Sequence, residues 1–546
     1  MINFIFIMKA FRMNTHFSVT NNRIGSLKSW LLAVACWFFA AGNAVAGGML
    51  TNTNQNVAFL RNPARDAAIG IDGVYSNPAG VAFLRDGWHL SFNWQNAHQT
   101  RTVVSTNPLY QLGVKNNGQD TKTFEGVADA PVIPSVQAAY NQGKWSLQAG
   151  FAVAGGGGKC EYSQGVGSFE QAVGTVAQRL NPLGALGYDV DGFMSGRQYY
   201  FGFSLGAAYQ LNDHLSVYGG LRLLYGSATY KAKMSNIQVK TADGMVPFGT
   251  FLDAAAGKVA GGIAQYTDAI GQLQNGIAQL ENGIAQYNAA NIPVPETLTE
   301  QLATLNETLA KAEAGKTTLE GTQESLNQLE LYRDGVNLMS DQSGWGVAPI
   351  IGIDYKTGVF NFSAKYEFKT RMRMENNSTA KSASIVEAVN KYLDGTSVPE
   401  DAPALLTLGA QWSVTDVVRL SAGYHYFFDK SAHWYNHDER KLDGGTNEFL
   451  GGAEWDITKH LQMSGGVQLT RYGLTDDYMN DMSFVVNSWS FGVGLGYRVN
   501  DHLKVNLAYF QTNYDDYDRV KSESPRVSDS FTRTNRVLGL GVDVDF

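Results

Sequence analysis

The chain has 546 residues, 59 of them glycine, with 12% aromatic and only 17% charged side chains; soluble globular chains average roughly 25% charged, so a conventional soluble enzyme is disfavoured. Its 42 basic and 50 acidic residues leave a formal charge of −8 with no polybasic tract, which gives no basis for a nucleic-acid partner. Two cysteines, Cys36 and Cys160, exclude a disulfide scaffold.

At the N-terminus, Arg23 and Lys28 precede an apolar run from Trp30 to Ala41, followed by Ala44-Val45-Ala46 and Gly47. This is the order of a secretory signal. Residues 1–46 are therefore expected to be a signal peptide, with an over-long start, since Met13 could equally open the chain. The run is too short for the ~20 residues of a helical span. Ala33-Val34-Ala35 before Cys36 loosely suggests a lipoprotein site, but Trp37, Phe38 and Phe39 continue the apolar run past it.

Beyond Gly47 no apolar stretch is long enough to span a bilayer as a helix, so membrane insertion would require a closed β-barrel. The periodicity agrees. Leu538, Leu540, Val542, Val544 and Phe546 alternate with Gly539, Gly541, Asp543 and Asp545, one face suited to lipid and the other to water. Similar segments run from Gln198 to Tyr209, Leu215 to Tyr230, Val359 to Arg371, Val417 to Phe428, Phe484 to Tyr497 and Leu503 to Tyr514, with aromatic residues crowding their ends. A soluble β-sandwich would want a polar second face throughout, whereas here that face is thin and rich in Gly and Ser.

Six short turns are expected at 141–144, 211–214, 356–358, 414–416, 456–460 and 500–502. Three contain near copies, Leu211-Asn212-Asp213-His214-Leu215, Ile457-Thr458-Lys459-His460-Leu461 and Val499-Asn500-Asp501-His502-Leu503, which read as one recurring tight turn. Seven longer connections, at about 100–130, 156–196, 231–344, 372–402, 430–446, 472–483 and 515–531, complete a barrel of 14 antiparallel strands with both ends on the periplasmic side.

The stretch from Gly47 to Asp86 does not alternate and carries Asn62-Pro63-Ala64 and Asn77-Pro78-Ala79. With Ala67-Ala68-Ile69-Gly70 and Tyr75-Ser76-Asn77-Pro78-Ala79-Gly80-Val81-Ala82, it resembles the FadL-type family of outer-membrane transporters for long-chain fatty acids and aromatic hydrocarbons. The resemblance implies that residues 47–86 are a hatch plugging the barrel of 87–546, with the Asn-Pro-Ala triplet inside it; Asn77, Pro78 and Ala79 are the candidate for coupling ligand to its exit, because proline's fixed φ gives the plug a discrete bend to switch. Proline lacks a backbone donor and fixes φ, so such a turn resists joining the wall's ladder; the plainer alternative is that Asn77-Pro78 ends a short helix. The family's third strand commonly kinks at Pro and Gly to open the wall. Here Phe151 to Ala154 runs into Gly155, Gly156, Gly157 and Gly158 without a proline, which makes that glycine run the candidate lateral opening.

Within the 231–344 connection the period changes to 3.5. Ile263, Tyr266, Ile270, Leu273, Ile277, Leu280, Ile284 and Tyr287 form a coiled-coil seam, with Gly262, Ala269, Gly276, Gly283 and Ala290 beside it. Pro293 and Pro295 end this arm; Thr297-Leu298-Thr299-Glu300 offers a capping box for a second, through Leu298, Leu302, Leu305, Leu309, Ala312 and Leu319. Residues 253–338 are thus expected to form an α-helical hairpin in the third extracellular loop, either docking a surface protein or propping the loop.

No catalytic constellation stands out. His433 and His437 are weak metal candidates lacking the Glu of the helical zinc motif, Gly155 to Gly158 lacks the Lys-Ser or Lys-Thr of a phosphate loop, and Cys160 has no evident base partner. The reading is an all-β outer-membrane barrel of a Gram-negative bacterium, monomeric, without cofactor or enzymatic activity. It would contact outer-membrane lipids and pass a hydrophobic small molecule, such as a long-chain fatty acid, by passive diffusion. An adhesin or assembly protein working through the hairpin and a general porin are the alternatives.

Overall fold

The computed structural model describes residues 51–381 and 390–546; the expected signal peptide lies outside them. Two compact units divide the described chain, residues 246–334 and the remainder.

The larger unit is a closed antiparallel barrel. Its wall strands are β1 (Gly87–Thr106), β2 (Thr121–Gln142), β3 (Trp145–Tyr162), β4 (Gly187–Gln210), β5 (Leu215–Thr241), β6 (Val336–Thr357) and β7 (Phe360–Glu367, resuming at Arg373–Ser378). They continue through β8 (Ser397–Pro399 and Leu405–Ser413), β9 (Val418–Phe427), β10 (Thr446–Asp456), β11 (Leu461–Arg471), β12 (Ser488–Asn500), β13 (Leu503–Tyr514, extended by Tyr517–Glu523) and β14 (Arg526–Asp545). β14 closes on β1 from His89↔Asp545 to Thr106↔Ser528, so the sheet of 14 wall strands leaves no open edge there.

The surface is inverted relative to a soluble protein. On β14, Leu538 and Leu540 are 52% and 44% exposed while Val537, on the inward phase, is 2% exposed. Trp145, Phe203, Leu221, Ile351, Phe449 and Trp489 likewise point outward, whereas Asn93, Gln137, Asp354, His425 and Glu448 are buried inside. An apolar belt around a polar interior suits a wall facing hydrocarbon. No described helix is long and apolar enough to cross a membrane, which says nothing about strands.

The repeated turns have a structural explanation. Asn212 Oδ1 accepts from the amides of His214 and Leu215 at 2.9 Å each, and Thr458 and Asn500 occupy the same role in their turns. Each turn histidine then donates Nδ1–H to the end of the next strand but one: His214 to Lys356 O at 2.9 Å, His460 to Arg498 O at 2.9 Å and His502 to Asp545 O at 2.7 Å. The motif ties neighbouring hairpins together at the rim of short turns.

Several boundaries differ from expectation. β3 to β6 run well into segments expected as loops, because a strand beyond the lipid keeps its ladder without needing an apolar face. The segment expected from Val359 to Arg371 stops at Glu367, and that expected from Phe484 begins only at Ser488. Phe484 packs instead with Val103, Met479, Val486 and Phe531 in a cluster formed by an outer loop.

The smaller unit consists of α3 (Phe248–Ala289) and α4 (Glu296–Leu329), numbered after α1 (Val57–Arg61) and α2 (Gly167–Arg179) of the barrel chain. The two long helices run antiparallel: a Cβ on Gly262 would meet Leu319 Cδ1 at 2.7 Å, and one on Gly276 would meet Leu305 Cδ1 at 3.4 Å. Gly283, expected at the same seam, has nothing within 4 Å. The expected capping box does not form. Pro295 occupies the cap, placing Thr297 inside the first turn, and Arg333 instead clasps Asp253 through Nη1 at 3.0 Å and Nη2 at 2.6 Å.

Candidate functional site

The interior is occupied by residues 51–86. Asn56 caps α1, accepting from Ala58 N at 2.7 Å, and holds the wall by donating to Gln137 Oε1 at 2.8 Å and Ser91 Oγ at 3.1 Å. One side of the wall meets this segment through bare backbone. A Cβ on Gly492 would sit 2.2 Å from Leu60 O, and one on Gly409 would sit 2.5 Å from Ala67 N. Glycine alone permits that approach.

Charge locks the same contact. Arg65 forks onto Asp72 at 2.8 and 3.0 Å and reaches Glu454 of β10 at 2.9 Å, while Arg61 lies 3.9 Å from Glu454. Burial opposes the Arg65 charge, but Asp72 and Glu454 more than offset it and hold its proton above the ordinary range. His425 of β9 bridges Asp66 at 3.0 Å and Glu448 at 2.8 Å.

Asn77, Pro78 and Ala79 face the opposite side, between two 3-10 turns, Ile71–Val74 and Gly80–Phe83. Asn77 Oδ1 accepts from Gly80 N at 3.2 Å, and its Nδ2 donates to Asp354 Oδ2 of β6 at 2.6 Å. Gln148 of β3 donates to Pro78 O and Ser216 of β5 to Ala79 O, each at 2.7 Å. The triplet follows the short 3-10 turn Ile71–Val74, to whose Gly73 O Asn77 N still donates at 2.9 Å, and is pinned to three wall strands.

Gly155 to Gly158 lie in β3 at an interruption of the wall. The β2–β3 ladder stops at Asp129↔Lys159 and resumes at Ser135↔Ala152, leaving residues 130–134 unpaired with β3. Two of these are Pro131 and Pro134, which have no backbone N–H to give to the ladder. Gly156 and Gly158 adopt left-handed φ of +68° and +74°. From inside, Asn52 N donates to Ala154 O at 2.8 Å and Asn52 Nδ2 to Gly156 O at 2.8 Å, so the start of the N-terminal segment covers the interruption.

Two lumen cavities of about 170 and 110 Å³ share Asn52, Gln99, Gly156 and Arg533. Arg533 of β14 donates to Gln99 Oε1 and Phe484 O, at 3.3 and 3.2 Å. Its register partner Arg101 of β1 lines the smaller cavity with Tyr162 and Gln198, and its Nε has no partner. Neither guanidinium has a carboxylate partner among the described residues. The sequence reading missed this pair and the β2 prolines; the signal was present as Gln99 and Arg101 on the polar phase of β1. The His433 and His437 rings lie tilted with their centroids 5.0 Å apart, and His437 Nδ1 lies 3.1 Å from Glu439 Oε1. No group of three His, Cys, Asp or Glu side chains among the described residues is arranged to hold a metal.

No known family model matches this sequence, nor does any curated protein. Solved structures do. A FadL homologue of Pseudomonas aeruginosa aligns with TM-score 0.54 at 12% identity, covering 91% of this chain and 99% of that one. The toluene transporter TodX of Pseudomonas putida aligns with TM-score 0.48 at 13% identity over 90% of this chain and 99% of its own. TbuX, the toluene transporter of Ralstonia pickettii, gives 0.45 at 14%, over 89% and 98%. On the first of these alignments, the chain has the FadL-type fold.

Proposed function

We propose that this protein sits in the outer membrane and passes an amphiphilic acid, a long-chain fatty acid or similar molecule, inward by passive diffusion. Residues 51–86 act as the hatch, and the β2–β3 interruption as the way out of the lumen. The supporting observation is the Arg101–Arg533 pair. Two guanidiniums without a carboxylate, in a cavity reaching the wall interruption, would gain a counter-ion from a ligand carboxylate, and charge-assisted bonds of this kind contribute about 1.5–3 kcal/mol each. The ligand's chain would gain ~25 cal/mol per Å² of apolar surface withdrawn from water. Release requires a second state of lower affinity; displacement of Asn52 from Ala154 and Gly156, with Asn77-Pro78-Ala79 transmitting the shift, would supply it. A general porin fits poorly with a lumen filled by a segment in backbone contact with its wall.

The test is uptake by cells lacking their own fatty-acid transporter. The Arg101→Gln, Arg533→Gln double variant should lower long-chain fatty-acid uptake about tenfold or more at normal abundance, the Lys double variant should restore much of it, and uptake of a neutral aromatic hydrocarbon should be unchanged. Equal loss for both cargoes would remove the carboxylate from the reading. Passage of sugars without fatty acids by the wild type would replace it with a porin.

A further inference from the structure

The lumen site leaves one large concavity unused. A cavity of about 780 Å³ lies on the outer face of the wall, where β7 breaks between Glu367 and Arg373. Phe368 N still reaches Pro349 O at 3.0 Å, but the β6–β7 ladder then lapses until Ser343↔Glu375. Arg371, Arg373 and Glu375 share the outward phase of β7, alternating with buried Met372 and Met374.

The polar lining is unevenly committed. Lys369 is held by Ser431 O at 2.7 Å and Asp401 at 3.4 Å. Arg373 donates to Ser397 through Nε at 3.0 Å and Nη2 at 2.7 Å. Arg371 is exposed and makes no hydrogen bond or ion pair among the described residues. His433 and Glu375 also line the cavity. Leaving His433 aside, Lys369, Arg371 and Arg373 face Asp401 and Glu375, an excess of one positive charge; Lys369 is paired with Asp401 and Arg373 is bound to Ser397, while Arg371 and Glu375 make no ion pair among the described residues.

Position in the membrane narrows what could occupy it. Tyr225 and Trp345 are register partners on β5 and β6 and are 43% and 68% exposed. Below them toward the short turns, Leu221, Leu223, Val347, Ile351 and Ile353 form an exposed apolar stripe. The aromatic pair thus marks the upper edge of the apolar belt. An outward Arg costs about 2–4 kcal/mol at the bilayer midplane and nearly nothing at the interface, which places this cation group at the head-group level of the outer leaflet.

We propose that this cavity binds the phosphate of an anionic, phosphate-bearing outer-leaflet glycolipid. Arg371 and Arg373 receive the phosphate oxygens, Tyr225 and Trp345 lie against the sugar, and the acyl chains follow the Leu221–Leu223 and Val347–Ile351 surface. The inference rests on the membrane placement above but not on the cargo, and its test reads binding without uptake.

Full-length protein in detergent would be titrated with diphosphorylated lipid A and with its enzymatically dephosphorylated form, bound lipid being counted by native mass spectrometry. Wild type should favour the phosphorylated lipid about tenfold or more, the order expected of a charge-assisted hydrogen bond. Arg371→Gln should abolish the preference and Arg371→Lys should retain part of it, with unchanged heat-dependent gel mobility showing an intact barrel. Equal binding of the two lipids, or a preference that survives Arg371→Gln in a folded barrel, would overturn the proposal. So would inorganic phosphate displacing the lipid completely at millimolar concentration, which would make this a site for the free anion.

Discussion

Two of the places where the wall loses its ladder end differently. Between β2 and β3 the pairing lapses over residues 130–134, with Pro131 and Pro134 on one side and left-handed Gly156 and Gly158 on the other, and Asn52 covers the inside. Between β6 and β7 the ladder also lapses, yet the backbones stay together: a Cβ on Gly344 would sit 2.2 Å from Arg373 O, and one on Gly346 would sit 2.4 Å from Arg371 O. What distinguishes the first interruption is an unpaired segment opposite a glycine run, with Asn52 hydrogen-bonded across it from inside. The second is packed shut and leaves its cavity on the outside only.

Substitution of the glycines in each interruption should separate the two most sharply. Gly156→Ala with Gly158→Ala forces two L side chains into a left-handed conformation costing roughly 1–2 kcal/mol each, with the Gly156 Cβ 2.3 Å from Gln198 O. β3 must shift, and fatty-acid uptake should fall to that of cells lacking the protein. Gly344→Ala with Gly346→Ala meets comparable backbone clashes and should lower the melting temperature while leaving uptake by the surviving barrels intact. Similar uptake losses per folded barrel in the two double variants would erase the distinction.

Next in size is the seating of the inner segment. Glu454→Gln removes the anion shared by Arg61, Arg65 and Arg419, and breaking a buried pair from one side costs on the order of 3–5 kcal/mol. Amide exchange across residues 57–74 should accelerate and single-channel conductance should rise, while the β1–β14 seam stays protected. Unchanged exchange would mean the glycine contacts seat the segment without the charges.

Much of this architecture was legible because the bilayer enforces it. The alternation of 538–546 and the Asn/Thr-x-His turns follow from local rules that one strand or one turn obeys by itself. The outer ends of β3 to β6 were not legible, since past the lipid either face can be polar and the period fades. The β2–β3 interruption was half legible: the glycines stood out, but the prolines facing them lie on another strand, and pairing is not written along either strand alone. Arg101 could have been found by following the polar phase of β1, whereas its pairing with Arg533 depends on closure between the first and last strands.

A smaller effect is expected at the opposite side of the inner segment. Asn77→Ala with Pro78→Ala deprives Asp354 of one of two donors, Asn361 Nδ2 remaining at 2.9 Å, a loss of about 1–3 kcal/mol for a buried polar group. Fatty-acid uptake should fall several-fold at unchanged barrel abundance, with sugar permeation not reduced. Normal fatty-acid uptake would take this turn out of the transport cycle and leave the β2–β3 interruption to work through Asn52 alone.

The smallest effect should come from the helical unit. Residues 246–334 are compact on their own contacts, with Gly262 against Leu319 at one level and Asp253 clasped by Arg333 near the base. Replacing residues 254–332 by a short Gly-Ser linker removes a unit whose two helices pack on each other, and loop-closure entropy changes only logarithmically with length. Heat-dependent gel mobility, surface abundance and fatty-acid uptake should all remain at wild-type levels. A deletion that fails to assemble would show that the barrel's folding depends on the helices. One that assembles and transports normally but no longer retains a surface protein would shift the role of these helices to docking, leaving both wall interruptions as they are.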